Sequence, residues 1–308
     1  MGESIGINNF KVMKTLRFLG STLLCVLISC SLSACGGGDD EESNQPSQPP
    51  TPSQPNSSKR LVKINELGDE TIEFKYDNQG NLAFVSVVDG DEYSEFTYEY
   101  GNNEITVSGF EERGLDGTGG EAIQKTYYLL NGKVISISEE EYDENGDVDY
   151  EDYESNVYNF EYDNTGKHLA RVNMNSQYVS MGYQSNYTQE YNFSWTDGML
   201  KDVNIVECYG NYPEQRYTET YVYNTNPLVC KGFLPLLSDY EPLEECYLLI
   251  AKPELALMTV NCLPSSINLA EAGIETFTYE FDNDGYIRKV HCKHEDGNYD
   301  AIFIFTWE

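Results

Sequence analysis

The chain has 308 residues and a formal net charge of −33 at pH 7, from 52 acidic and 19 basic residues. Such a negative charge repels phosphate backbones and anionic lipid surfaces, which disfavours nucleic acid and direct peripheral membrane binding. It suits a self-repelling, soluble surface or one that binds cations.

Residues 1–34 have the composition of an export signal. Basic residues precede a short apolar run over residues 16–28, which is too short to span a membrane as a helix. Residues 32–35, Leu-Ser-Ala-Cys, resemble the lipobox of bacterial lipoproteins. That resemblance implies cleavage before Cys35 and attachment of a lipid to its thiol. Met13 is an alternative to the first methionine as the start, since it begins a more compact signal.

Residues 35–58 are predicted to form a lipidated, disordered tether. Three glycines are followed by acidic residues at positions 39–42, which resembles the surface-export signal of Bacteroidota-type lipoproteins. The alternative is a plain solvated charge run. Residues 43–58 are rich in proline, serine and glutamine and have no apolar residue that seeds a core. We therefore expect an outer-membrane location in which the lipid is the only membrane contact and the protein faces the cell exterior.

Residues 59–308 are predicted to form a single domain, because no second linker interrupts them. The segments that begin at Tyr76, Tyr142, Tyr162 and Phe281 share the pattern aromatic-Asp-x-x-Gly. In such a turn the Asp side chain binds its own backbone and the glycine takes a positive φ. Each copy therefore predicts a β-hairpin.

Apolar and charged residues alternate beside these turns. Ile72, Phe74 and Tyr76 share one face of a predicted strand, and Glu73 and Lys75 share the other. This period of two predicts an all-β domain, mainly an antiparallel meander with one buried side. We expect about a dozen strands in a sheet that is either open or closed into a barrel.

A segment of about residues 228–263 breaks the alternation. It is dense in leucine and is interrupted by Pro235, Pro242 and Pro253. We expect a short apolar insert of helical turns and loops that plugs or caps the sheet. The insert is either a buried loop that fills the core or one wall of a ligand cavity.

The lipobox, the turns and the tail over residues 263–287 resemble a family of gut-type Bacteroidales lipoproteins, a domain of unknown function with a porin-like fold. The likeness covers most of residues 59–308 and is most specific near the C-terminus. The single turns also resemble the tyrosine-aspartate repeats of large bacterial surface shells. The resemblance implies a fold and a location and supplies no catalytic residues.

The predicted mature chain carries no catalytic motif. It contains no Gly-x-Ser-x-Gly elbow, no His-Glu-x-x-His, no phosphate-binding loop and no Cys-x-x-Cys. His291, Cys292 and His294 are potential metal ligands, but on a strand the two histidines point to opposite faces. We therefore predict no enzyme activity, no catalytic residue, no cofactor and no metal.

Five cysteines of the predicted domain lie at spacings unlike zinc modules: Cys208, Cys230, Cys246, Cys262 and Cys292. An exported protein can oxidise them, although an odd number leaves at least one thiol free. The alternative is that all are reduced and pack as small hydrophobic side chains. The sequence leaves both the disulfide pairing and the oligomeric state open.

Tyr187, Tyr191, Phe193 and Trp195 form an aromatic ladder on one face of a predicted strand. Such a ladder either stacks on sugar rings or packs in the core. We predict a non-catalytic binding protein for a glycan or another nutrient ligand, with these four as the stacking residues. The alternatives are a structural subunit of a surface protein complex and a barrel that holds an apolar ligand.

Overall fold

The computed structural model describes residues 59–115, 119–142, 152–180, 183–210, 212–225, 246–256, 262–269, 273–297 and 299–308. The predicted signal, Cys35, the tether, Cys230 and much of the insert lie outside the described residues.

Strands make up most of the described residues, with very little helix. The strands are β1 (Leu61–Glu66), β2 (Glu70–Tyr76), β3 (Leu82–Asp89), β4 (Glu92–Tyr100), β5 (Glu104–Gly114), β6 (Glu121–Leu130), β7 (Lys133–Tyr142), β8 (Asp152–Tyr162), β9 (Leu169–Ser180), β10 (Tyr183–Thr196), β11 (Met199–Tyr209), β12 (Gln215–Val222), β13 (Ser266–Leu269), β14 (Gly273–Phe281), β15 (Ile287–His294) and β16 (Asp300–Trp307). The helix α1 spans Tyr247–Ala251, and a 3-10 turn follows at Pro253–Leu255.

Each strand pairs antiparallel with the next along the chain, and β16 pairs with β1, so that the sheet closes into a barrel. The predicted antiparallel meander is therefore confirmed, and its open form is excluded. The expected dozen strands is too low, because the described residues alone contribute sixteen strands to the barrel. The copies of the turn motif at Tyr76, Tyr162 and Phe281 follow β2, β8 and β14 at one end of the barrel. The copy at Tyr142 follows β7 at the other end, and its residues 143–146 lie outside the described residues. Most of the connections lack the motif, so it does not count the strands.

We call the end that holds the turns of Asp77, Asp163 and Asp282 and the entry of the chain at Lys59 the lower end. There Asp77 Oδ1 accepts the backbone N–H groups of Gln79 and Asn81, each at 2.8 Å. These N–H groups lower the pKa of the Asp77 carboxyl, chiefly that of Asn81. Gly80 has a φ of 86°, which a residue with a Cβ rarely adopts. The predicted chemistry of the turn is confirmed at this hairpin.

Most buried side chains that point into the barrel are apolar, with polar exceptions such as Lys125 and Glu139, and most outward side chains are polar, with exposed apolar exceptions such as Ile135 and Val157. On β9 and β10 the outward residues face each other in the pairs Asn173 with Glu190 and Asn175 with Thr188. A membrane-spanning barrel has the opposite arrangement, with apolar residues outside and polar residues inside. The buried inner residues include Ile64, Ile72, Phe74, Val85, Phe96, Tyr127, Ile137, Phe160, Val172, Tyr191, Val203, Tyr221, Val290 and Phe303.

The described part of the insert lies in this core. Tyr247, Leu248, Leu249 and Ile250 of α1 are buried, and the Tyr247 ring lies 5.3 Å from the Phe96 ring. The prediction of an apolar insert that fills the core is confirmed for these residues. None of the helical segments among the described residues is long and apolar enough to cross a membrane.

Candidate functional site

The predicted aromatic ladder lies on the inner face of β10, and most of it belongs to the core. Tyr191 is 2% exposed and Phe193 is 8% exposed. Trp195, near the lower end, donates its indole N–H to the Leu169 carbonyl at 2.7 Å. Tyr191 and Phe193 have little surface to offer a ligand, so the core-packing alternative describes these two. Trp195 is only partly buried, as Tyr187 is, so the stacking role remains a prediction for Tyr187 and Trp195.

Tyr187 stacks on a residue of the neighbouring strand. It pairs with Tyr209 across β10 and β11, and the two ring centroids are 4.1 Å apart with planes 19° from parallel. Tyr209 is 43% exposed, so the pair lies where the inner face of the barrel meets solvent. Two stacked rings hold each other in orientation, which makes them a rigid contact surface.

Further tyrosines extend this surface toward the end opposite the lower end, which we call the upper end. Tyr178 of β9 pairs with Ser185 of β10 and therefore shares the inner face with Tyr183 and Tyr187. Tyr178 is 42% exposed and Tyr183 is 82% exposed. We call Tyr178, Tyr183, Tyr187 and Tyr209 the tyrosine platform.

The platform exists because β9 and β10 are the longest strands of the barrel. They have 12 and 14 residues, whereas β1 has 6. At about 3.3 Å per residue the extra length raises this hairpin beyond the shorter strands. Residues at its tip that continue the inward alternation therefore meet solvent instead of the core.

A hydrogen-bond network below the stacked pair fixes a carboxylate. Glu207 Oε1 accepts the Gln189 amide at 2.9 Å, the Tyr187 hydroxyl at 3.2 Å and the Tyr217 hydroxyl. Gln189 Oε1 in turn accepts the Tyr191 hydroxyl at 2.7 Å. We call this network the floor of the platform. Hydrogen bonds to a charged acceptor are stronger than neutral ones, so the side chains of the floor are held in place before a ligand binds.

A second polar row reaches the platform from β7 and β8. The register places Glu139 opposite Asn156, Asn156 opposite Ser176, and Ser176 opposite Tyr187. Asn156 donates its amide to Glu139 Oε1 at 3.2 Å, and Ser176 donates its hydroxyl to Glu154 Oε1 at 3.1 Å. Sugar hydroxyls and amines can donate to such carboxylates and amides.

Other charged side chains inside the barrel lie away from the tyrosine platform. Lys125 is buried and forms ion pairs with Glu139 at 3.0 Å and Glu111 at 3.5 Å. On the far side of the interior, burial raises the pKa of Glu66 to about 7, with added repulsion from Asp69 and Asp89. These two groups lie away from the stacked tyrosines and belong to the wall of the barrel.

The residues considered as metal ligands are not brought together. His291 pairs with Asp300 at the outer surface, whereas Cys292 is buried on the inner face that His294 shares. The opposed faces of the histidines are as expected for a strand. In the parts of the chain that the structure describes, no three His, Cys, Asp or Glu side chains form a group suited to a metal ion.

The cysteine prediction is answered only in part. Cys208 and Cys292 are free thiols, and Cys292 is fully buried on the inner face of β15. The alternative of a reduced cysteine that packs as a small side chain describes Cys292, whereas Cys208 is a partly buried thiol that faces outward opposite Thr188. Cys230 lies outside the described residues.

Sequence reasoning missed three of the four platform residues, Tyr178, Tyr183 and Tyr209. The alternation of aromatic residues is most regular in the middle of β10. That part of the strand lies in the core, so the pattern pointed to core residues. The available signal was a concentration of tyrosines near two neighbouring hairpin tips, where Tyr212 is also 78% exposed. Aromatic residues at exposed tips contribute little to a core, which favours a contact role.

Comparison with solved structures identifies the same fold in two porin-like proteins. One is from Bacteroides uniformis, with 17% sequence identity and a TM-score of 0.53 over 81% of this chain and 95% of that chain. The other is from Bacteroides vulgatus, with 14% identity and a TM-score of 0.53 over 82% of this chain and 99% of that chain. No family model and no curated protein matches the sequence. The predicted porin-like fold is therefore confirmed, and at these identities the likeness concerns the fold alone.

Proposed function

We propose that this protein is a non-catalytic, cell-surface binding protein whose tyrosine platform holds a glycan. The observation that carries the proposal is the stacked, solvent-facing pair of Tyr187 and Tyr209 above the fixed carboxylate of Glu207. The apolar C–H face of a sugar ring packs against an aromatic ring, while its hydroxyls need convergent acceptors and donors. The platform and its floor supply both.

The filled interior weighs against a barrel that carries an apolar ligand. The side chains of α1 and the inner faces of the strands pack together in one core, and Leu248 is fully buried within it. An apolar ligand would need a dry cavity of its own in that volume. The ligand therefore binds above the core, at the upper end.

The outer face supports a domain that stands in water, away from the lipid. Asn173, Asn175 and Gln177 face outward on β9 and pair with Glu190, Thr188 and Asn186. Side chains of this kind on a lipid-facing wall would each cost free energy, most of all near the bilayer centre. We propose that the covalent lipid on Cys35 is the membrane contact and that the barrel itself is not inserted.

The entry of the chain supports an orientation. Lys59 is held at the lower end by ion pairs to Asp282 at 2.7 Å and Asp284 at 2.6 Å. A tether that precedes Lys59 therefore leaves from the lower end. With its lipid in the outer membrane, the tyrosine platform faces away from the cell, toward soluble or particulate glycans.

A glycan array with the whole chain tests the proposal. We expect binding to neutral oligosaccharides that is lost in Tyr209→Ala. The matched control is Tyr128→Ala, because Tyr128 is equally exposed, at 42%, but lies on the outer face of β6. The absence of any glycan signal, or equal losses in the two variants, would contradict the proposal and favour the alternative of a structural subunit.

A further inference from the structure

Glu207 presents one carboxylate oxygen to the protein and the other to solvent. The hydrogen bonds from Tyr187, Gln189 and Tyr217 all end on Oε1. Oε2 accepts none from the described residues, and it is not closed off from water, since the side chain is only partly buried. The donors on Oε1 fix the orientation of the carboxylate, so Oε2 is an acceptor held in place for a group that arrives from outside.

The wall of the barrel is low beside Glu207. Gln215 lies opposite Glu207 at the start of β12, on the same inward face, and is exposed. Among the described residues, β13 pairs with β12 only from Glu219 toward the lower end, so no described strand of that side stands beside Gln215. Two residues of a strand span about 7 Å, so a sugar ring that stacks on Tyr209 has its hydroxyl edge at Glu207 without entering the core.

The inner face around Glu207 carries negative charge only. Over the described residues of β8 to β12, the inward side chains include Glu219 and no lysine, arginine or histidine. Arg171 and Arg216 point outward, and Lys201 is exposed near the lower end. A carboxylate or sulfate on a sugar would therefore meet repulsion and no counter-ion, whereas a hydroxyl meets acceptors.

We propose that Glu207 determines the specificity of the site: its Oε2 accepts a hydroxyl of a neutral glycan, and its charge excludes sugars that carry a carboxylate or a sulfate. This inference rests on the proposed function, because the stacked Tyr187 and Tyr209 hold the sugar ring whose hydroxyl reaches Glu207. A hydrogen bond to a carboxylate is charge-assisted and is stronger than one between neutral groups. Repulsion across the same short distance acts only on the acidic sugars.

The test is a calorimetric titration of the whole chain with pairs of oligosaccharides that have the same length and linkage. The pairs are oligomers of glucose with glucuronate, galactose with galacturonate, and mannose with mannuronate. In a pair that binds, we expect the neutral member to bind about tenfold more tightly than the acidic one. In Glu207→Gln this difference should fall below about threefold, because the amide still accepts a hydroxyl but carries no charge.

The matched control is Glu190→Gln. Glu190 lies on the outer face of β10, in register with Val206, so this substitution removes the same charge and leaves the inner face unchanged. The variant should keep the full preference for the neutral member. An equal loss of preference in both variants would mean that the net charge of the protein rejects acidic sugars, which would contradict a role for Glu207.

The remaining outcomes separate the two proposals. Equal or tighter binding of the acidic member overturns the selection by charge and leaves the proposed function standing, whereas no binding of any oligosaccharide overturns both. Should Glu207→Gln fail to fold, the unsubstituted chain in about 1 M salt decides, because the Debye length is then about 3 Å and rejection by the net charge disappears. A preference that persists supports direct contact with Glu207, and its loss contradicts the inference.

Discussion

Tyr187 and Tyr209 lie opposite each other on β10 and β11, with ring centroids 4.1 Å apart, at the boundary between the core and solvent. On the core side of this pair, Tyr191 is 2% exposed, and on the other side Tyr183 is 82% exposed. One strand face therefore serves two purposes, and the stacked pair marks where packing ends and a contact surface begins.

This boundary predicts that two truncations lower the free energy of unfolding by different amounts. Phe193→Ala removes a core ring and should lower the free energy of unfolding by about 3 to 5 kcal/mol. Tyr209→Ala, at the upper end, should cost less than about 1 kcal/mol, because much of the ring already contacts water. Urea unfolding followed by circular dichroism measures both. Equal losses would place Tyr209 in the core and refute the division.

The carboxylate of Glu207 predicts a second effect. Glu207→Gln keeps the size of the side chain but weakens the hydrogen bonds from Gln189, Tyr187 and Tyr217, so we expect a loss of about 1 to 3 kcal/mol in unfolding free energy. Glu99→Gln, on the exposed outer face of β4, is the matched control and should be nearly neutral. If both variants have the same free energy of unfolding, the hydrogen-bond network below the platform contributes nothing to stability.

Glu66 predicts a pH dependence of stability. Burial raises its folded-state pKa from the ordinary 4.5 to about 7, so the folded protein holds this proton more tightly than the unfolded chain. Its stabilising contribution is therefore complete below about pH 4.5 and is lost as the pH rises through about 7. Glu66→Gln stays neutral and should gain stability relative to the unsubstituted protein across that range, by about 1 kcal/mol after solvent screening. If the difference in unfolding free energy between Glu66→Gln and the unsubstituted protein does not change with pH, the raised pKa of Glu66 is wrong.

The predicted anchor is tested on cells. Cys35→Ala removes the thiol that the lipobox would lipidate, so the variant should leave the membrane fraction and appear in the soluble one. Protease treatment of intact cells should digest the unsubstituted protein if it faces the exterior. Retention of the Cys35→Ala variant in membranes would refute the anchor, and protection from protease would refute the outward location.

Local sequence patterns predict much of this fold. The Asp turn at Asp77 and the alternation of Ile72, Phe74 and Tyr76 are short-range features, and both appear as expected. The closure of the sheet into a barrel is not a short-range feature, because it depends on the pairing of Leu61 with Trp307 at the two ends of the domain. No local signal specifies that two edge strands will meet, so the sequence left an open sheet and a barrel as equal alternatives.

The candidate site was predicted only in outline. Tyr187 was identified, but Phe193 and Trp195 share its alternation and lie in the core or beside it. Alternation reports which face of a strand a residue occupies, whereas exposure along that face depends on how far the strand extends beyond its neighbours. The hydrogen bonds to Glu207 from Gln189 and Tyr217 likewise depend on tertiary contacts that no sequence motif encodes.

The central inference is that this barrel, with a mainly apolar interior and a mainly polar outer face, stands in water as a scaffold for the upper-end site. The most direct measurement is expression of residues 59–308 without the signal and tether, followed by size-exclusion chromatography and circular dichroism in the absence of detergent. The account predicts a monodisperse protein with a β-type spectrum. A product that stays in solution only with detergent would contradict it, since its outer wall would then be covered by lipid.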